Sequence, residues 1–357
     1  MKLACRFCKR KYLTNPQPER SGVNIMSGQS LRISSGNRMR ISSSQSLTEY
    51  CPNCRNSLES TLDSPQSQNP ATVMLFGAGA SAGSTKVNAP PIGYQLFDAL
   101  AYFDPIGWGT IPAQLQTTFQ KDFERGMIAL ANSNDNKLPP LQRAMAEFFF
   151  KYKPEKDSLY LQFCKRLKAK GLSIGLATLN YERLLELAMA ESGLDIEVCL
   201  PHGRCNIFCD GASTDSLGAD FPGMGVTTNG LIYSINDAAQ FKYKITHDSF
   251  PPVMSYFEPN KRVTSGANFI VGQKQKWVNL CNAANEIFIV GIKPRASDSH
   301  IWGPLEKTQA KIIYCSGKNG AKEFEEWSRS VNRSSENLIL KDCFQNEFEN
   351  ICTLMGI

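Results

Sequence analysis

Short apolar runs alternate with longer amphipathic segments from Thr72 to the end of the chain. Continuous apolar runs of this length are typical of strands buried on both faces, and apolar residues at helical spacing fill the segments between them. The predicted strands are 72–77, 172–178, 196–199, 286–291, 311–315 and 337–340. The predicted helices are roughly 93–103, 141–152, 157–169, 181–192, 273–284, 321–332 and 346–355. This alternation predicts an α/β fold, a Rossmann-like parallel sheet with helices on both faces. The turns at Gly77, Asn180 and Gly291 should then gather at the carboxyl edge of the sheet, where such folds bind ligands.

Two regions depart from this alternation. Residues 104–140 mix Pro, Gly and polar residues, but we expect them to be largely helical. Residues 203–268 are rich in Gly, Asp, Ser, Thr and Pro and carry short aromatic stretches. We therefore predict that residues 203–268 form an inserted small module that covers a cleft of the main domain, which spans 71–357.

The N-terminal segment carries two Cys-x-x-Cys pairs, Cys5 with Cys8 and Cys51 with Cys54. Two such pairs supply the four thiolates of a structural zinc site. Between them, residues 27–43 contain a short repeat in which apolar residues alternate with arginine, a pattern typical of antiparallel strands. The sequence thus predicts a β-rich, zinc-ribbon-like module over 1–55, stabilised by zinc, and a polar linker over 56–70.

The net charge of +6 is confined to this N-terminal segment, because residues 1–70 hold ten Lys and Arg against four Asp and Glu. A basic segment on a neutral domain indicates an anionic partner such as nucleic acid, with Arg32, Arg38 and Arg40 as its basic patch. The alternative is a solvated basic face, and zinc-bound thiolates would also cancel part of the charge. Both interpretations stay open.

Other features of the composition limit the class of protein. The apolar fraction is 42%, and no apolar run is long enough to span a membrane or to form a secretion signal, so we expect a cytoplasmic protein with no membrane partner. Twelve cysteines without a secretion signal do not predict a disulfide framework.

The first predicted strand ends in Gly77-Ala78-Gly79-Ala80-Ser81. Glycine has no Cβ, so such a turn can be tight, and a phosphate group can approach the backbone N–H groups closely. The turn therefore predicts a nucleotide site, although Gly-x-Gly turns also occur in α/β proteins that bind nothing there.

Two further polar residues follow predicted strands. Asn180 comes after the strand at 172–178, and His202 lies between Pro201 and Gly203 after the strand at 196–199. The pKa of histidine lies near neutrality, which suits a catalytic base carried on a loop. The alternatives are a helix N-cap or a turn residue for Asn180 and a backbone-bonded histidine for His202.

Four motifs together resemble the sirtuin family, most closely its prokaryotic branch in anti-phage defence. They are Gly77-Ala-Gly-Ala-Ser81, Thr178-Leu-Asn-Tyr-Glu182, Pro201-His-Gly203 and the segment from Ile287 to Ile301. The resemblance implies that Gly77, Ala78, Gly79 and Ser81 bind the NAD pyrophosphate and that Asn180 and His202 are catalytic beside the nicotinamide ribose. It also implies weaker roles in binding the cofactor for Ser297, Asp298 and His300.

Departures from the family pattern favour simple NAD cleavage over deacylation. The Asp-Phe-Arg segment of protein-deacylating sirtuins is missing after the glycine turn. Those enzymes also place two Cys-x-x-Cys pairs after the catalytic histidine, whereas here Cys205 and Cys209 come shortly after His202 with three residues between them and no second pair. We therefore expect an NAD hydrolase that yields ADP-ribose and nicotinamide. Two alternatives stay open: a protein deacylase or ADP-ribosyltransferase, and a non-enzymatic sensor of an NAD derivative whose zinc module binds nucleic acid or protein.

An enzyme that depletes NAD harms its own cell, so its activity must be controlled. The expected means of control are a homo-oligomer or a partner protein, such as an ATPase of the same defence system.

Glu182 is a further candidate for stabilising the sugar cation, although an acidic residue on the first turn of a helix is favoured anyway.

Overall fold

The computed structural model describes residues 2–4, 11–13, 70–93, 95–132, 138–210, 231–248, 250–255, 265–333 and 335–357. The chain divides into two compact units, Met1–Gln68 and Asn69–Ile357. In the first unit, strand β1 (Lys2–Ala4) pairs antiparallel with β2 (Lys11–Leu13), with Lys2 opposite Leu13. The predicted zinc ligands Cys5, Cys8, Cys51 and Cys54 lie outside the described residues, as do the repeat of residues 27–43 and positions 56–69 of the predicted linker.

The second unit is built on a six-stranded sheet. Its strands and a separate pair are β3 (Thr72–Phe76), β4 (Gly175–Thr178), β5 (Val198–Cys199), β6 (Ile207–Asp210), β7 (Leu231–Ser234), β8 (Glu286–Val290), β9 (Lys311–Cys315) and β10 (Asn337–Leu340). The sheet order is β10-β9-β8-β3-β4-β5, and every neighbouring pair is parallel. The six predicted apolar runs are therefore the six strands of one parallel sheet.

Alternate residues of each strand enter two different hydrophobic clusters. On β3, Met74 and Phe76 face one cluster, and Val73 and Leu75 face the other. The first cluster includes side chains from helices Gln95–Phe103, Leu138–Phe150, Leu159–Lys170, Leu184–Ser192 and Phe344–Met355. The second includes side chains from helices Ala267–Ala283, Ser299–Lys307 and Gly317–Ser330. The predicted α/β fold with helices on both faces is thus confirmed.

Two helical segments differ from the sequence-based expectation, whereas the described residues of 104–140 are largely helical, as expected. Helix Ala78–Ser84 begins directly after Gly77, where its small residues predicted only a turn. Helix Ala267–Ala283 begins earlier than the predicted start near residue 273. Residues 104–140 contain a 3-10 turn at Trp108–Thr110 and then two short helices, Ala113–Lys121 and Phe123–Asn132.

The described part of 203–268 contains an antiparallel pair and a helix. Strand β6 pairs with β7, and helix Ala238–His247 follows, capped by the Asp237 carboxylate at 2.8 Å from the Gln240 N–H. Phe208 and Phe241 are buried in the same cluster as Met74 of the main sheet. This segment therefore shares the core of the second unit. Within the described part of the chain, no helix has both the length and the apolar character needed to cross a bilayer.

Candidate functional site

Residues that follow four strands meet at one edge of the sheet. Gly77 follows β3, Asn180 follows the end of β4, His202 follows β5, and Gly291 follows β8. The carboxyl ends of parallel strands lie at the same edge, where α/β proteins bind ligands. Direct contacts confirm the predicted meeting of the turns: the Asn180 side chain donates to the Gly77 carbonyl at 3.1 Å, and the Gly79 N–H donates to the Gly291 carbonyl at 3.0 Å.

Close backbone packing explains the glycines of this edge. A Cβ on Gly77 would lie 2.2 Å from Cγ1 of Ile292, and one on Gly79 would lie 2.9 Å from the Gly291 Cα. Gly291 itself has a φ of +72°, and a Cβ there would lie 2.1 Å from the Ala80 nitrogen. The turns after β3 and β8 therefore require glycine for their mutual contact. Binding of a cofactor by Gly77, Ala78 and Gly79 stays a prediction.

Asn180 is buried, with only 8% of its surface exposed. Its side-chain nitrogen donates to the Gly77 carbonyl at 3.1 Å and to the Ser81 hydroxyl at 2.7 Å. A backbone carbonyl only accepts hydrogen bonds, so the contact with Gly77 fixes which side of the amide carries the nitrogen. The N–H of Asn180 donates to the Thr178 hydroxyl at 3.1 Å. The arrangement leaves the oxygen of the Asn180 amide as the group that can accept from a ligand.

Ser81, predicted to bind the cofactor, is the centre of a buried hydrogen-bond network. Its hydroxyl donates to Glu182 Oε1 at 2.5 Å and lies 3.0 Å from the Tyr160 hydroxyl and 2.7 Å from the Asn180 amide nitrogen. A hydroxyl donates one hydrogen bond and accepts two, so these three partners fill its capacity. In this structure Ser81 therefore holds Asn180 and Glu182 in place.

Glu182 lies before the helix that was expected to contain it. Helix Leu184–Ser192 begins two residues later, and Glu182 Oε2 accepts from the Leu184 N–H at 2.5 Å. The expected position on the first helical turn is therefore wrong. The Glu182 side chain is buried, and burial raises the pKa of its carboxyl to about 7, against the opposing effect of the hydrogen bonds from Ser81 and Leu184.

His202, the predicted base, belongs to a second cluster at the same edge. Its Nε2 lies 2.9 Å from Nε2 of His300 and 3.7 Å from Oδ1 of Asp298. His202 and Asp298 are both about 6% exposed, and His300 is half-buried. The structure thus brings together one residue predicted to be catalytic and two predicted to contact the cofactor.

Further contacts hold the His202 ring and backbone in place. The Tyr181 ring stacks on it with centroids 6.5 Å apart, and the Ser255 N–H donates to the His202 carbonyl at 2.9 Å. Gly203 has a φ of +75°, and a Cβ there would lie 1.9 Å from the Val253 carbonyl oxygen. Tyr181 directly follows Asn180 in the chain, so one short segment carries Asn180 and supports His202.

The loop after β8 is also attached to a helix that the sequence did not associate with the site. The Ser297 hydroxyl donates to Glu124 Oε2 at 3.0 Å, and the Arg295 guanidinium lies 3.4 Å from the same carboxylate. Arg295 also lies 3.7 Å from Asp122. Ser297 is therefore separate from the histidine cluster in its contacts. Nothing in the sequence pattern near Glu124 indicated this role.

No protein-family model and no curated protein matches the chain. Among solved structures, a Sir2 homologue in complex with NAD is similar to it, with 13% identity over 84% of this chain and 93% of that chain, and a TM-score of 0.42. Two variants of a Sir2 homologue, each in complex with ADP-ribose, have 14% and 13% identity over 80% of this chain and 93% of theirs, each with a TM-score of 0.40. A likeness this weak establishes neither the family nor the activity.

Proposed function

We propose that the chain is an NAD hydrolase that cleaves the bond between nicotinamide and ribose, with Asn180 and His202 as its catalytic residues. The observation that carries the proposal is the fixed orientation of the Asn180 amide, whose nitrogen is bound to Gly77 and Ser81. The imidazole of His202 lies at the same edge of the sheet, against the neighbouring Tyr181. The four sirtuin-like motifs supply the choice of NAD as the substrate.

The residue types at this edge suit that reaction. As the nicotinamide leaves, positive charge develops on the ribose, and a water oxygen then bonds to the sugar carbon that has lost the base. In our proposal the amide oxygen of Asn180 accepts a hydrogen bond from a ribose hydroxyl or from the attacking water. The neutral imidazole of His202 takes the proton that the water loses, which passes to solvent. The products are ADP-ribose, nicotinamide and one proton.

The fit of the substrate at the glycine turn follows from the same contacts. The N–H of Gly79 is directed at the Gly291 carbonyl, and the Ser81 hydroxyl already has three partners. The N–H of Gly77 is likewise directed at the Val290 carbonyl, at 2.9 Å. We therefore propose that the backbone of Ala78 approaches the pyrophosphate, that Gly77 and Gly79 act by keeping the turn tight, and that Ser81 acts by holding Asn180. Ser297 and Asp298 remain the candidates for the adenosine end of the substrate.

We further propose that the enzyme is a regulated effector of anti-phage defence that acts by depleting NAD. The motif resemblance supports this role, and the toxicity of uncontrolled NAD loss requires a trigger. The basic first unit, with its predicted zinc site, is the part that we assign to the triggering contact, with nucleic acid or with a partner protein. Self-association of the second unit is the other source of control.

Nicotinamide release from NAD alone tests the proposed reaction. We expect release by the wild type without any acyl or ADP-ribose acceptor, and a fall of about 10²–10⁴-fold in His202→Ala and Asn180→Ala. The matched control is His247→Ala, because His247 is exposed and its ring stacks on Tyr243, 4.2 Å away. Release that requires an acylated peptide would instead show a deacylase. Equal release by the wild type and His202→Ala, both folded by circular dichroism, would refute the assignment of the base.

A further inference from the structure

We propose that His202, Asp298 and His300 form a binding site for a divalent transition-metal ion of the zinc class. Two imidazole nitrogens and one carboxylate oxygen are the donors of known three-ligand zinc sites, which keep a fourth position for water. Of the three histidines in the chain, two lie in this cluster. The site is distinct from the cysteine site predicted in the first unit, because it uses no thiolate.

The distances fit a single ion. The ligand atoms of the three side chains all lie within 4.8 Å of one another. The two Nε2 atoms are 2.9 Å apart, and the His202 Nε2 is 3.7 Å from Asp298 Oδ1. In a tetrahedral zinc site with bonds of 2.0–2.1 Å, two ligand atoms stand about 3.3 Å apart. A small outward rotation of the two rings therefore makes room for an ion between them.

The chemistry of the cluster also favours a cation. Two imidazoles whose Nε2 atoms face each other must differ at that atom, since one Nε2 must carry a hydrogen and donate it while the other accepts. An ion between them removes this requirement, because both rings then offer a lone pair. The buried Asp298 carboxylate supplies a negative charge beside the two nitrogens. His300 is only half-buried, so an ion can enter the cluster past this residue.

The position of the cluster gives the ion a consequence for the proposed reaction. His202 follows β5, and Asp298 and His300 follow β8, and these strands are separated in the sheet by β4 and β3. Three strand spacings amount to about 14 Å, so the two loops meet across the ends of β3 and β4. A bound ion would join these loops and occupy the His202 lone pair. We infer that the ion inhibits NAD cleavage, an inference that rests on the proposed function.

Titration of the chelator-treated full-length chain with Co²⁺ tests the site directly. Co²⁺ bound by imidazole and carboxylate gives visible d–d bands, whereas thiolate ligands add a sulfur-to-metal charge-transfer band, so the cysteine site is distinguished in the same spectrum. We expect His300→Gln and Asp298→Asn each to lose one bound equivalent, the one without charge transfer. His247→Ala should keep it, and all three variants retain the four N-terminal cysteines.

The same experiment can overturn the proposal. Equal stoichiometry and equal spectra in the wild type and in both site variants would show a hydrogen-bonded histidine pair with no metal site. Thermal unfolding of each variant without metal checks that a lost equivalent does not reflect a lost fold. Because bound metal stabilises the folded state, Co²⁺ should also raise the Tm of the wild type and of His247→Ala more than that of His300→Gln.

Inhibition is measured separately from binding. We expect Zn²⁺ to halve NAD cleavage by the wild type at the concentration that half-fills the site, and a chelator to restore the rate. NAD cleavage that zinc leaves unchanged or increases would overturn the inhibitory role. A chain that binds the ion but never cleaves NAD would refute the proposed function while the metal site stands, and the reverse result would refute the metal site alone.

Discussion

The side-chain nitrogen of Asn180 donates to the backbone carbonyl of Gly77 at 3.1 Å, which ties the carboxyl end of β4 to that of β3. The two residues are 103 positions apart in the chain. Because the carbonyl can only accept, this contact orients the amide, and the Ser81 hydroxyl at 2.7 Å holds it from a second direction. The amide orientation is therefore a property of the folded domain before any substrate binds.

Replacing this amide by a carboxylate should test the orientation. In Asn180→Asp an oxygen would face the Gly77 carbonyl, and a charge would be buried close to Glu182. We expect the free energy of unfolding, measured in urea at pH 8, to fall by about 1–3 kcal/mol, and NAD cleavage to be lost. The loss of stability should shrink at acidic pH, where the new carboxyl is protonated.

Asn319→Asp is the matched control for this change. Asn319 is exposed in the first turn of helix Gly317–Ser330, where an acidic side chain is favoured. We expect its free energy of unfolding to stay within about 0.5 kcal/mol of the wild type. A similar loss in both variants would contradict the role assigned to the contact between Asn180 and Gly77.

Glu182 should make the stability of the domain depend on pH. Its pKa is about 7 in the folded chain against an ordinary value of 4.5, so the folded state holds the proton more tightly than the unfolded state. The stabilisation from the protonated form is complete below about pH 4.5 and is lost as the pH rises through about 7. Across this range the Glu182 carboxyl changes the free energy of unfolding by on the order of 3 kcal/mol.

The variant Glu182→Gln removes this titration. We expect Glu182→Gln to gain stability relative to the wild type as the pH rises from 5 to 8, measured by urea unfolding at each pH. Other titrating groups affect both proteins and cancel in the difference. Ser81→Ala should instead raise the pKa of the Glu182 carboxyl further, because the hydroxyl that lowers this pKa is removed. A constant difference between wild type and Glu182→Gln across this range would show that the carboxyl does not titrate there.

Gly291 should tolerate no side chain. Its φ is +72°, and a Cβ would collide with the Ala80 nitrogen, so Gly291→Ala adds backbone strain and a steric clash at the glycine turn. We expect a loss of at least about 2 kcal/mol in the free energy of unfolding, with a lower Tm. Gly272→Ala provides the contrast, since Gly272 lies exposed in helix Ala267–Ala283 with nothing within 4 Å of a Cβ.

In Gly272→Ala the helical propensity of alanine should raise stability by up to about 1 kcal/mol. Thermal scans should therefore show a lower Tm for Gly291→Ala and a higher Tm for Gly272→Ala. If both variants changed the Tm by the same small amount, the close contact between Gly291 and Ala80 would not hold in solution.

The sheet could be predicted from the sequence because its strands are continuous apolar runs. Strands β9 and β10 have the predicted bounds, and β3 and β8 end one residue early. Strand β5 is confined to Val198–Cys199 at the sheet edge. Helix Ala78–Ser84 was not predicted, because its Ala, Gly and Ser residues carry no apolar periodicity.

The side-chain contacts of the site could be predicted only in part. The order of strands and turns brought Gly77, Asn180 and Gly291 to one edge, as expected. The contact between His202 and His300 depends on how two loops close across the sheet, and no local pattern records it. The burial of Glu182 against Ser81 has the same cause, since it needs β3 and β4 side by side.

The second unit should fold without the first. The described members of both hydrophobic clusters all come after Asn69, and the unit boundary falls between Gln68 and Asn69. We therefore expect a chain that starts at Asn69 to unfold at the same Tm as the second unit within the whole protein, measured by calorimetry. Its NAD cleavage should no longer respond to a nucleic acid or protein that activates the full-length chain. If the shortened chain showed unchanged assembly, by light scattering, and an unchanged response, control would belong to the second unit itself.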